Sequence, residues 1–274
     1  MKNTRTLRTA ALGLGVAAVA ATALASPALA SAPAHATDPS SRPTIVLEHG
    51  AWADSSSWDL VRQQLQHDGY AVLVPPNPLR GLSSDAGYLS TYLAQRTTGP
   101  VVLVGHSYGG AVITNAALSD PHVTALVYVD AFMPDSGESV GSIVGSSTSA
   151  LNVADPSSVY DVVGLSDGSA EAYLKPTVMQ EDVAADLSPL QQQTVIADQL
   201  PIALGAVSEA SGIPAWKSIK TYSVIGTHDL VLPEATQLQE ARRAHSEITL
   251  VGGSHLSLIS KWRQVAAVIE TAAR

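Results

Sequence analysis

Val101-Val102-Leu103-Val104-Gly105-His106-Ser107-Tyr108-Gly109-Gly110-Ala111-Val112-Ile113 is the stretch whose reading decides the fold. Its first four residues are apolar and mostly β-branched, as suits a strand covered on both faces. Its last residues can open a helix. Between them, Gly105-His106-Ser107-Tyr108-Gly109 forms the G-x-S-x-G turn that lifts a serine hydroxyl above the end of a sheet. Gly105 and Gly109 leave room where side chains would collide with neighbouring backbone. The helix that follows aims its N-terminal dipole at the turn, which favours developing negative charge. The bare pattern is weak, because Gly137-Glu138-Ser139-Val140-Gly141 fits it too. That second match follows Met133-Pro134-Asp135-Ser136 and lacks a strand, so Ser107 is the candidate nucleophile.

Further apolar runs lie at 44–48, 71–74, 125–129, 221–225 and 248–251, each closing on Gly, Pro, Asn or Asp. Helix-like stretches at 58–68, 85–94, 109–119, 233–244 and 258–273 separate them. Such alternation predicts an α/β fold, a mostly parallel sheet of about six strands with flanking helices and right-handed crossovers. Residues 134–216 break the rhythm. Within them, 134–169 is rich in Ser, Gly, Asp and Val, whereas 170–210 reads as helical. A structureless loop of that length is unusual in a compact domain. The segment is expected to be an inserted cap or lid over the C-terminal edge of the sheet, where open α/β sheets bind ligands. The core is then 43–133 and 217–274.

The chain has 274 residues, 46% apolar and 14% charged, with no cysteine and a formal charge of −9. One α/β domain with a large core fits these values. Disulfides, thiolate metal sites and a cysteine nucleophile are excluded. Residues 1–8 hold Lys2, Arg5 and Arg8; 9–34 are uncharged; small-x-small sites follow at Ala28-Leu29-Ala30 and Ala34-His35-Ala36. This layout predicts a secretory signal peptide over 1–36, cleaved near Ala30 or Ala36, with 37–42 a short lead-in. An uncleaved anchor is the alternative, but Gly13, Gly15, Pro27 and the weakly apolar alanines count against a spanning helix. Arg5 and Arg8 are not adjacent, so no twin-arginine route is indicated. Without those three cations the chain keeps 12 basic against 24 acidic residues. Such a surface repels phosphate backbones and argues against a nucleic-acid partner; no stable membrane partner is expected either.

A serine nucleophile needs oxyanion donors, a base and an acid. Tyr108, next to Ser107, supplies one candidate N–H. Glu48-His49-Gly50-Ala51-Trp52 closes the first strand, and Ala51 is the second candidate, because Gly50 lets the backbone approach closely. The motif's chain order is serine, acid, histidine. Gly252-Gly253-Ser254-His255 follows the last strand and makes His255 the candidate base. His228 is a minor rival, and His35, His67, His122 and His245 lie in the processed segment or on polar faces. For the acid, Asp229 in Gly226-Thr227-His228-Asp229 competes with Asp130, which follows the preceding strand. Asp229 is expected to orient the base, and Asp130 to hydrogen-bond the elbow or line the pocket. His49, Trp52, His106 and Asp130 are candidate substrate-lining residues, and Trp58 is expected to pack on the sheet. Tyr160, Tyr173, Leu174 and Leu200 are candidate cap contacts. Glu48, at a strand end beside the site, requires either solvent or a partner. No His, Asp and Glu spacing suggests a metal site.

These motif loops, together with Asp130-Ala131-Phe132-Met133-Pro134-Asp135, resemble the α/β-hydrolase superfamily. The resemblance is closest to the branch of plant methyl esterases and hydroxynitrile lyases and its bacterial esterase-like members. It covers roughly 43–274, strongest at the motif loops. It implies an α/β-hydrolase fold and a cofactor-free Ser-His-Asp enzyme acting on small esters. The chain departs from the lyases, which carry a threonine where Gly50 stands and a lysine where Leu256 stands, so hydrolysis is favoured over cyanide release. The antiparallel strands that open many relatives are not expected here. The expected function is therefore a secreted serine hydrolase cleaving a small-molecule ester through an acyl-enzyme. Lactone, amide or carbon–carbon cleavage, or cofactor-free perhydrolysis, could use the same residues. A non-catalytic binding protein of the same fold is the reading from another class, and the complete residue set argues against it.

Overall fold

The computed structural model describes residues 42–274; the signal-peptide reading of 1–36, and the lead-in before Arg42, lie outside the described residues. Strand and helix alternate through β1 (Thr44–Glu48), α1 (Asp59–His67), β2 (Val72–Leu73), α2 (Leu82–Arg96), β3 (Val101–His106), α3 (Tyr108–Ala116) and β4 (Val123–Val129). Next come α4 (Val140–Gly145), β5 (Tyr160–Gly164), β6 (Ala170–Leu174), α5 (Pro176–Val178), α6 (Pro189–Ala197), β7 (Ile202–Ala203) and α7 (Leu204–Ser208). The alternation resumes with β8 (Lys220–Gly226), α8 (Glu234–Arg243), β9 (Glu247–Val251), α9 (Ser257–Ser260) and α10 (Trp262–Ala272).

The main sheet runs β2-β1-β3-β4-β8-β9, and every neighbouring pair is parallel. Its strands feed two separate cores, as their unbroken apolar sequences require. Val46, Leu103, Leu126 and Tyr128 face one cluster with Leu89 and Leu93 of α2. Ile45, Leu47, Val102, Val104 and Val127 face the other, with Val61 and Leu65 of α1 and Val265 and Ile269 of α10. The helices meet these faces with residues three to four apart, the spacing that keeps one stripe turned inward. Trp58 is fully buried in the second cluster.

Growth of the sheet reverses at β1: β2 pairs on one side of it and β3 on the other. Parallel strands leave a crevice beyond their carboxyl ends at such a reversal. The loops after β1 and β3, carrying 49–52 and Ser107, therefore open onto one cleft.

Between β4 and β8, β5, β6 and β7 form an antiparallel three-stranded sheet. This corrects the helical reading of 170–210 in part: Ala170–Leu174 and Ile202–Ala203 are strands, whereas Pro189–Ala197 and Leu204–Ser208 are helical as expected. Ala, Glu and Leu in β6 are good helix formers, but pairing with Tyr160–Gly164, in register from Tyr160 opposite Leu174, overrides local preference.

Candidate active site

The elbow is strained where the sequence places the nucleophile. Ser107 has φ +51° and ψ −123°, and Trp52 (φ +54°) and Asp130 (φ +46°) are also left-handed. Such backbone costs a non-glycine residue roughly 1–3 kcal/mol and persists only where its surroundings impose it. All three residues follow strands at the cleft. A Cβ on Gly105 would lie 2.6 Å from the Gly109 carbonyl oxygen, so the turn closes only with glycine there. A Cβ on Gly50 would lie 2.7 Å from Ser107 Cβ, which shows how tightly the β1 loop presses on the serine.

Three side chains from three strand ends form one hydrogen-bonded row. The Ser107 hydroxyl lies 2.9 Å from His255 Nε2, and His255 Nδ1–H donates to Asp229 Oδ2 at 2.8 Å. Asp229 is fixed in turn. Its Oδ1 accepts the Val231 and Leu232 N–H groups, both at 2.8 Å, and its Oδ2 accepts from Gln237 Nε2 at 2.9 Å. Burial pulls the His255 imidazolium down, but the charge and hydrogen bond of Asp229, with the charge of Asp130, outweigh it. His255 therefore sits above its ordinary value. Asp130 is not in the row. Its Oδ1 accepts from the Gly226 N–H at 2.7 Å and its Oδ2 from the Ser257 N–H at 3.2 Å, tying the ends of β4 and β8 to the start of α9. Burial, then the charge of Asp229, pushes Asp130 up to about 8.

Tyr108 is the first residue of α3, so its N–H has no partner within the helix. Its hydroxyl donates to buried Asp85 at 2.9 Å, which fixes the ring in place. Ala51 lines the space beside Ser107.

Of the candidate lining residues, Trp52 and His106 face cavities at the cleft. His49 and Asp130 do not, and both are fully buried. The reason at His49 is that both ring nitrogens are occupied: Nδ1–H donates to the Gly50 carbonyl, and Nε2 accepts the Asn77 N–H, each at 2.9 Å. Asp130 is held by the two backbone groups above. Tyr160 lines a cavity, whereas Leu174 packs into the core and Leu200 is exposed. Among the described residues Glu48 has neither solvent nor a partner. It is fully buried, both its oxygens lack a hydrogen bond among the described residues, and burial, then the charge of Asp85, holds it well above the usual carboxylate range.

Sequence reasoning missed Gln237, which braces Asp229 from α8, because nothing in a motif singles out a glutamine eight residues on. It also missed Val231, which lines both cavities. Among the described residues no group of three or more His, Asp or Glu is placed to hold a metal ion.

Residues 45–268 match the pattern of the alpha/beta hydrolase family. A carbendazim hydrolyzing esterase from Nocardioides sp. (strain SG-4G) is 36% identical over 108 residues, which is 35% of this chain and 45% of that protein. The match thus spans less than half the length of that relative. Polyneuridine aldehyde esterase superposes with a TM-score of 0.74 at 18% identity, covering 85% of this chain and 100% of that one. A pyrethroid hydrolase from Sphingobium faniae JZ-2 gives 0.67 at 21%, covering 84% and 97%. An extracellular alpha/beta-hydrolase from a Paenibacillus species gives 0.66 at 19%, covering 85% and 99%. At these identities the solved structures share the fold.

Proposed function

This chain belongs to the alpha/beta hydrolase family, and on that premise we propose that it is a secreted serine hydrolase that cleaves small carboxylic esters without a cofactor. The observation that carries this reading is the row Ser107–His255–Asp229, with hydrogen bonds of 2.9 and 2.8 Å. Ser107 Oγ attacks the ester carbonyl while His255 Nε2 takes its proton; Asp229 keeps the ring in the tautomer that leaves Nε2 free. The tetrahedral oxyanion is met by the Tyr108 and Ala51 N–H groups. One such donor contributes ~3–4 kcal/mol to the transition state. His255 returns the proton to the departing alcohol, and water then clears the acyl-enzyme by the same route.

The test is hydrolysis of p-nitrophenyl acetate, butyrate and octanoate by the purified protein beside Ser107→Ala. Turnover lost in the variant, with an unchanged circular dichroism spectrum, supports the reading. Absence of turnover together with no labelling of Ser107 by a serine-directed phosphonate overturns it. Secretion rests on the layout of residues 1–36, and the N-terminal sequence of protein recovered from the culture medium tests it. Ser31 or Thr37 is the expected first residue.

A further inference from the structure

Resting on that reading of the site, we infer that the natural substrate is an ester bulky in both halves, with Trp52 dividing them. Its acyl group is uncharged and about one aromatic ring in size. Its alcohol is larger than methanol and not anionic.

Two cavities adjoin beside the Ser107–His255 pair, one at each residue. One, of about 130 Å³, is lined by Ser107 and Tyr108 and does not reach His255. The other, of about 180 Å³, is lined by His255, His106 and Leu256 and does not reach Ser107. Ala51, Trp52 and Val231 line both and form the boundary. Acylation forms the bond from Ser107 Oγ to the carbonyl carbon and breaks the bond from that carbon to the alcohol oxygen. The serine proton passes through His255 to that oxygen, so the alcohol lies on the His255 side. The carbonyl oxygen points at the N–H groups of Ala51 and Tyr108, which leaves the Ser107-side cavity for the acyl chain.

The two cavities differ in chemistry. Among the described residues the acyl side has no charged side chain on its wall, and four of its residues are the aromatic Trp52, Tyr108, Phe132 and Tyr160. A carboxylate or ammonium on the acyl group would be desolvated there without a partner. Its volume is near that of the roughly 150 Å³ apolar cavity that takes up benzene. The alcohol side is larger, with Met179, Val183 and Ile259 on an apolar wall, and Asp54, Asp59 and Asp198 without any Lys or Arg among the described residues. A methyl group would leave that wall without contacts, and an anionic alcohol would meet like charge.

Trp52 is fixed as a divider. Its indole N–H donates to the Ala172 carbonyl of β6 at 2.9 Å, and its ring stacks on Tyr160 of β5 with centroids 5.9 Å apart. A residue of the β1 loop is thus locked by the strands above it in the left-handed conformation noted above.

The experiment is kcat/KM of the purified protein for methyl acetate, methyl benzoate, benzyl acetate and benzyl benzoate. Monobenzyl succinate and O-benzoylglycolate serve as the two anionic counterparts. Benzyl benzoate is expected to exceed each smaller ester by roughly tenfold or more, and each anion to fall below it by at least as much. Trp52→Ala should bring the neutral esters within about threefold of one another, as discrimination by a filled pocket is lost, whereas Trp52→Phe keeps the order. Two filling variants do not depend on the fate of Trp52. Val144 lines the acyl side and Thr194 the alcohol side, so Val144→Phe should lower the benzoate-to-acetate ratio and Thr194→Trp the benzyl-to-methyl ratio, each by roughly tenfold. Equal turnover of all four neutral esters, or ratios unmoved by filling, overturns the inference while leaving the hydrolase reading intact. If no ester is turned over and Ser107 is not labelled, the hydrolase reading fails instead. Benzyl benzoate titrated against tryptophan fluorescence then decides the cavities: saturable binding weakened by both filling variants supports them, and no binding overturns them.

Discussion

The Nε2–H of His106 donates to the backbone carbonyl of His255 at 2.8 Å, so the residue preceding the candidate nucleophile also holds the candidate base. A carbonyl only accepts, which fixes the proton of His106 on Nε2. Burial, then the charge of His255, keeps this imidazole well below its ordinary value and hence neutral. It braces the loop without placing a second cation beside His255, whose ring lies 5.0 Å away. His106→Phe keeps the ring but strands a buried carbonyl, at a cost of about 1–3 kcal/mol. We expect a lower melting temperature and a kcat reduced about tenfold through a loosened base. His106→Gln, a neutral donor, should recover part of both. Thermal denaturation and p-nitrophenyl ester kinetics on the two variants check this, and equal loss in Phe and Gln would reject the hydrogen bond as the cause.

In the proposed mechanism His255 must be neutral to accept the serine proton, and its pKa is raised. Activity on a neutral ester should therefore rise with pH through a midpoint above the ordinary imidazole value of about 6.5. Asp229 supplies the two largest influences that raise it, against burial, which lowers it. In Asp229→Asn burial dominates, so the remaining activity should show its midpoint below ~6.5. The pH dependence of kcat/KM for both proteins gives the answer, and a downward shift that fails to appear would count against Asp229 as the partner.

Asp229 and Asp130 can be separated by rate as well. Asp229 faces the imidazole, whereas both oxygens of Asp130 face backbone N–H groups. Asp229→Asn should lower kcat by ~10⁴-fold, the loss expected when the orienting carboxylate of such a row is removed. Asp130→Asn keeps an acceptor at that position and should stay within about tenfold of the parent, because it leaves the orienting carboxylate in place. Steady-state kinetics at one pH suffices. A larger loss at Asp130 would reverse the assignment.

The elbow was legible in the sequence because its causes are local: a valine-rich strand, a glycine turn and a helix start within thirteen consecutive residues. His255 and Asp229 were legible because strand ends in a parallel sheet gather at one edge, so chain order alone places them near Ser107. What stayed hidden depends on distant partners. His49 looks like a pocket residue until Asn77, 28 residues on, occupies its ring and its carbonyl. Ala170–Leu174 looks helical until Val162 and Val163 pair with Ala172 and Glu171. The Trp52 divider depends on Ala172, 120 residues away, which no short window contains.

Glu48 offers a thermodynamic test of the buried architecture. Its carboxyl is held well above the ordinary range by burial and by Asp85, with no hydrogen bond to offset the cost among the described residues. The folded protein therefore keeps this proton over a pH range in which the unfolded chain, ionising near ~4.3, has released it. With more protons bound in the folded state, stability falls as pH rises from that value until the folded pKa is reached. The slope is at most about 1.4 kcal/mol per pH unit. Glu48→Gln has no proton to lose and lacks this component. Its melting temperature should gain on the parent as pH rises above ~4.3, by about 2–4 °C for each kcal/mol. The gap should level off once the parent's Glu48 ionises in the folded state. Melting temperatures of the two proteins from pH 4 to 9 would show this divergence, and parallel curves would mean that Glu48 is ionised in the fold.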